Sequence, residues 1–119
     1  MKTFRFLDFI VYRDSKNFYK QVISIAKDFP RDNEELKKQL TRAALSISLN
    51  IAEGSAKKSD KDFNRYIENS LGSINECAAA LDIAFENKFI SNSSFKTIVE
   101  LAEKIAKQLG GFSKKLKNS

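Results

Sequence analysis

Between Gln39 and Gly54 the chain reads QLTRAALSISLNIAEG, and its apolar positions recur at helical spacing. Leu40, Ala43, Ala44, Ile47 and Ile51 make one face, and Leu45, Leu49 and Ala52 make a second strip beside it. Between them runs a polar row, Arg42, Ser46, Asn50 and Glu53, spaced four, four and three residues apart. A helix of this kind is expected to be buried on two sides, and polar groups within it then need partners.

The same periodicity predicts four helices, at about 7–28, 33–54, 59–87 and 92–117. Leu7, Val11, Phe18, Val22, Ile25 and Phe29 follow the core face of the first, with Tyr12, Tyr19 and Ile23 flanking it. Phe29-Pro30 ends that helix, because proline disfavours helical geometry in the residue before it. Asp32 or Asn33 is expected to cap the second helix, whose positive end suits Glu34 and Glu35. Gly54 closes it as the residue best able to take a left-handed C-terminal conformation. Ser59 with Asp62 reads as a capping box for the third helix, which carries Phe63, Ile67, Ser70, Ile74, Ala78, Leu81 and Phe85 along its seam. The fourth begins near Ser91 or Asn92, and its apolar stripe runs through Gly110-Gly111, where a bend or fraying is expected. Lys114, Lys115 and Lys117 suit its negative C-terminal end. Short connections favour an all-α, antiparallel up-down-up-down four-helix bundle filling residues 1–119 as one domain.

If the second and third helices form a hairpin turning at Lys57-Lys58, facing residues have numbers summing to about 116–118. Arg42 is then level with Glu76, Ser46 with Gly72, and Glu53 with Arg65. Arg42–Glu76 and Glu53–Arg65 are expected as structural ion pairs fixing register, with Gly72 allowing close backbone approach. The alternative is that Arg42, Asn50 and Glu53 line a binding site.

Composition narrows the chemistry. The 119 residues include no histidine and one cysteine, Cys77, so zinc sites, Cys–His pairs and Ser–His–Asp triads cannot be built within the chain. No glycine-rich phosphate loop occurs, and Cys77 beside Ala78, Ala79 and Ala80 reads as a small buried residue. No catalytic residue, cofactor, metal or small-molecule substrate is expected. A single cysteine, no signal-peptide pattern and no membrane-spanning run predict a cytoplasmic protein. The net charge of +6 points towards an anionic partner.

The segment Arg42-Ala43-Ala44-x-Ser46-Ile47-x-x-Asn50-Ile51-Ala52-Glu53-Gly54 resembles the hallmark of the bacterial four helix bundle proteins. These are also called 23S rRNA-intervening sequence proteins and include the Avd accessory proteins of diversity-generating retroelements. Phe29-Pro30, Gln39, Phe63 and Gly72-Ser73-x-x-Glu76 are similar to the same pattern, over roughly 7–112. Tyr12 stands where the family often has tryptophan, and Lys57-Lys58 where arginine is usual; lysine keeps the charge but loses bidentate phosphate geometry. The resemblance implies an antiparallel bundle assembling as a ring-like homopentamer. It also implies a family mostly without established activity, one branch of which works with a reverse transcriptase and RNA. Lys57, Lys58, Lys61 and Arg65, gathered at the second hairpin, are the candidate nucleic-acid contacts, RNA being favoured. The other reading is a protein-interaction scaffold, its basic patch meeting an acidic partner such as a reverse transcriptase.

Overall fold

The computed structural model describes residues 3–119. A 3-10 turn at Arg5–Asp8 precedes helix α1 (Ile10–Ala26), and a second at Arg31–Asn33 leads into α2 (Glu34–Ser55). Helices α3 (Asp60–Glu86) and α4 (Asn92–Lys117) follow, and no strand occurs among the described residues. The fold is all-α.

The ends of the helices follow local chemistry, with corrections. Phe9 is extended, so Leu7 belongs to the preceding turn and is exposed instead of starting the core face of α1. Asn33 makes no side-chain cap; the 3-10 turn leads directly into α2, with Glu34 and Glu35 at its positive end. Ser59 caps α3 by accepting from the Asp62 N–H at 3.1 Å, and Ser91 caps α4 by accepting from the Ser94 N–H at 3.2 Å. Between α3 and α4 the left-handed residue is Lys88 (φ 64°). The Lys88 and Phe89 N–H groups reach back to the Phe85 and Ala84 carbonyls, both at 2.9 Å, in a Schellman arrangement. Gly54 is not left-handed: α2 runs straight through it to Ser55. Nor does α4 fray at Gly110-Gly111; it stays helical to Lys117.

The core is one cluster drawn from all four helices. Phe18 and Val22 of α1 meet Leu40, Ile47 and Ile51 of α2, Phe63, Ile67 and Leu81 of α3, and Ile98, Ile105 and Leu109 of α4. Burying each such large side chain contributes about 1.5–3 kcal/mol. Buried hydroxyls tie the helices together. The Ser15 and Ser48 hydroxyls bond at 2.8 Å between α1 and α2, and the Ser113 hydroxyl of α4 donates to Asn64 Oδ1 of α3 at 2.6 Å. The whole is 45 × 22 × 21 Å.

Along the α2–α3 seam the paired numbers fall in α3 as they rise in α2. The Ser70 hydroxyl donates to the Ile47 carbonyl at 2.9 Å, Ser46 bonds Ser73 at 2.9 Å, and Cys77 faces the Leu40 carbonyl. The level of the helices is thus close to the sequence expectation, but the groups that hold it differ. Neither the Arg42–Glu76 nor the Glu53–Arg65 ion pair forms, and all four residues are exposed. Holding two long side chains together in water gains about 0–1 kcal/mol and costs rotamer entropy, so nothing compels these pairs. Short side chains at the seam do the work instead: Ser46–Ser73 and Ser70–Ile47 cross it, and Asn50, whose amide braces Ser46 from within α2 at 2.9 and 3.0 Å, accepts from the Asn69 amide of α3 at 3.5 Å.

Two further expectations change. The second apolar strip of α2 is uncovered in the single chain, with Leu45 40% and Leu49 57% exposed, so α2 is buried on one side. Gly72 has no atom within 4 Å of where a Cβ would stand. The close approach is at Gly54, where a Cβ would lie 2.6 Å from Tyr66 Cβ and 2.9 Å from Phe63 Cδ1.

Candidate nucleic-acid interface

Three segments meet at one end of the molecule: the turn at the start of the chain, the α2–α3 connection and the last turns of α4. Phe9 just after the first turn, Phe63 in the first turn of α3 and Phe112 in α4 form the aromatic floor beneath them, with Phe112 edge-on to Phe9 at 5.4 Å and to Phe63 at 5.1 Å. Arg5 clamps this end. Its Nε and Nη2 donate to the Ser55 carbonyl at 3.1 and 2.9 Å, satisfying a free carbonyl at the end of α2. Its guanidinium also lies 5.3 Å from the Phe63 ring centroid. In the sequence, the signal for Arg5 is its flanking by Phe4, Phe6 and Phe9.

Lys57 and Lys58 lie in the α2–α3 connection, and Lys61 and Arg65 in the first turns of α3. They are not equivalent. Lys57 is half-buried, its Nζ 5.0 Å from the Tyr66 ring, and the Arg65 guanidinium lies over the same ring at 5.7 Å. Arg65 pairs with Asp62 at 3.5 Å, one turn away on its own helix. Lys58 and Lys61 are exposed and carry no ion-pair partner among the described residues. The end of α4 adds what the sequence reading assigned only to the helix dipole. Lys117 reaches Glu68 of α3 at 3.5 Å and the Ser119 hydroxyl meets the Asp60 carboxylate, so Lys114 and Lys115 stand beside the start of α3.

The opposite end, where Phe29 packs on Phe89 at 5.8 Å, is evenly mixed: Lys27, Arg31, Lys37 and Lys38 stand among Asp28, Asp32, Glu34 and Glu35. The positive excess therefore lies away from that end.

The other candidate groups are placed as follows. Arg42, Asn50 and Glu53 do share one shallow open groove of about 240 Å³ with Leu45 and Leu49, on the outer side of α2. Burial pushes the Cys77 thiol up to about 12, so it stays protonated and unreactive at neutral pH. Among the described residues no group of three or more His, Cys, Asp or Glu is placed to hold a metal ion, and no helix is long and apolar enough to cross a membrane.

Comparison with known proteins agrees with this architecture. No curated protein matches the chain. A crystal structure of a protein of unknown function from the S23 ribosomal protein family of Bacteroides thetaiotaomicron VPI-5482 superposes with a TM-score of 0.82. The match covers 88% of this chain and 99% of that one at 24% identity, and it speaks to the fold. The family model described as 23S rRNA-intervening sequence protein matches residues 7–111. The chain belongs to the 23S rRNA-intervening sequence protein family.

Proposed function

We propose that this protein is a non-enzymatic, cytoplasmic, oligomeric binding protein that contacts nucleic acid, RNA above all, through its basic end. The observation that carries the reading is the pair of unpartnered lysines, Lys58 and Lys61, at the end of the molecule where positive charge collects. Lysine ammonium groups contact phosphate oxygens whatever the base, so binding is weakly sequence-specific and strongly salt-dependent. Titration of a labelled RNA against the protein at rising salt tests this. A steep linear fall of log affinity with log salt supports it, and absence of binding at low salt rejects it.

The contacts described above support an antiparallel up-down-up-down arrangement within one domain. They also leave Leu45 and Leu49 of α2 uncovered, which supports assembly of copies, a ring-like homopentamer in our reading. Repeating Lys58 and Lys61 in each copy multiplies individually weak phosphate contacts. Light scattering of the purified protein measures the assembly, and a monomer at micromolar concentration rejects it.

The exposed Leu45/Leu49 strip also favours a second reading, a scaffold that holds a protein partner such as a reverse transcriptase. Pull-down with and without nuclease separates the two. A partner protein retained after nuclease treatment and lost on Leu49→Lys favours the scaffold.

A further inference from the structure

We propose that an apolar groove beside the aromatic floor binds a small, neutral, flat aromatic molecule carrying one N–H donor, of the indole kind. The groove is open, lies between the start of α1, the start of α3 and the last turns of α4, and measures about 710 Å³. That is within the roughly 300–1,000 Å³ of small-molecule sites. Its walls include Phe9, Ile10, Phe63, Phe112 and Leu116. Phe9 and Phe112 are only half-buried by the protein itself, and Ile10 is 67% exposed. Covering apolar surface at a concave site is favourable, and aromatic rings gain further from a second ring set against them.

Two residues of α4 select the occupant. Gln108 lines the groove; its amide donates to Asp14 Oδ2 at 2.9 Å, while its Oε1 is buried without a hydrogen-bond partner. An acceptor left so is costly, and a donor on an occupant removes the cost. One turn on, Gly111 lines the same groove, and a Cβ there would meet nothing within 4 Å. Glycine is a poor helix former, yet α4 runs straight through this position. The missing side chain keeps the groove open and lets a flat molecule lie against the helix. At the rim, Arg5 and Lys115 are offset by Asp8 and Asp60, so no net charge awaits a phosphate or carboxylate. A nucleobase carries several donors and acceptors on its edges, whereas Gln108 Oε1 is the one buried side-chain N or O atom without a partner among the described residues. Burying a base here would leave polar groups unmatched. A ring system with a single donor leaves none. Binding it needs none of the histidine or cysteine chemistry that the chain lacks.

The chain has no tryptophan, so added indole, excited beyond tyrosine absorption, is the emitting group and reports its own burial. Titrations with indole and 1-methylindole, and competition by adenosine, test the proposal. Indole emission is expected to shift to the blue and to saturate below about 1 mM, with 1-methylindole, which lacks the donor, about ten-fold weaker. Gly111→Leu fills the groove with a better helix former, so it should unfold no earlier than wild type and bind indole about ten-fold more weakly or worse. Gln108→Met should bring indole to the level of 1-methylindole and leave 1-methylindole within about two-fold. No saturable binding of indole up to about 1 mM overturns the inference, as does binding that Gly111→Leu leaves unchanged. Equal affinities for indole and 1-methylindole overturn the part given to Gln108, and adenosine binding as tightly as indole overturns the ligand class. A wild type that binds no indole, and whose mass in light scattering falls on Gly111→Leu, has a second copy in the groove instead.

Discussion

A methyl group at Gly54 would stand 2.6 Å from Tyr66 Cβ, an atom fixed to the α3 backbone, so the helices would have to part. Gly54→Ala should lower stability by about 1–3 kcal/mol through overpacking. Gly72→Ala, in open space within a helix, should raise it by up to about 1 kcal/mol. Urea unfolding of the two variants checks both signs. The contrast reverses the roles assigned from the sequence, where Gly72 was the contact and Gly54 the stop. Spacing along a chain locates a residue's level on a helix but not its rotation towards a neighbour, and rotation decided this case. The thiol of Cys77 gives a second prediction. Its pKa is raised from 9.0 to about 12 by burial, with Glu76 adding to the shift. A raised pKa means the folded form resists ionisation, so this stabilising contribution is complete below pH 9 and is lost as pH rises towards 12. The stability difference between wild type and Cys77→Ala should therefore be flat to pH 9 and shift against wild type above it.

Between elements, hydroxyl and amide bonds hold the register. Ser113→Ala leaves Asn64 Oδ1 buried without its 2.6 Å donor and should cost about 1–3 kcal/mol. A double-mutant cycle with Asn64→Ala should show coupling, since each group is the other's partner. Arg42→Ala and Glu76→Ala should instead add independently, each within about 0.5 kcal/mol, because both side chains are exposed and unpaired. The helices and the Ser59 cap were legible because apolar periodicity and capping chemistry act within a few residues. The polar partners were not, because an exposed arginine takes its nearest acid. For Arg65 that is Asp62, three residues back on the same helix, before any residue across a seam. The basic cluster at Lys57–Arg65 could be read from the chain, but its extension to Lys114 and Lys115 required knowing that α4 ends beside the start of α3.

For the molecule as a whole, the basic end and the Leu45/Leu49 strip of α2 are the outer surfaces on which the proposed binding and assembly rest. Leu45→Lys/Leu49→Lys should shift any assembly towards monomers. It should leave the monomer's own stability within about 0.5 kcal/mol, because both side chains lie outside the core. Light scattering paired with thermal unfolding reads the two effects separately. The charge asymmetry belongs to this scale as well, since it arises from which helix ends meet and not from any one segment. The 45 × 22 × 21 Å envelope has its own consequence in rotational diffusion. A body about twice as long as it is wide tumbles faster about its long axis than end over end. Helical amides lie nearly parallel to their helix axis, whereas those in the turns at Lys57 and Lys88 point in many directions. Their transverse relaxation should therefore separate into two classes in a single chain. Copies set side by side make a rounder body and merge those classes, so nuclear spin relaxation reports the assembly from inside the protein.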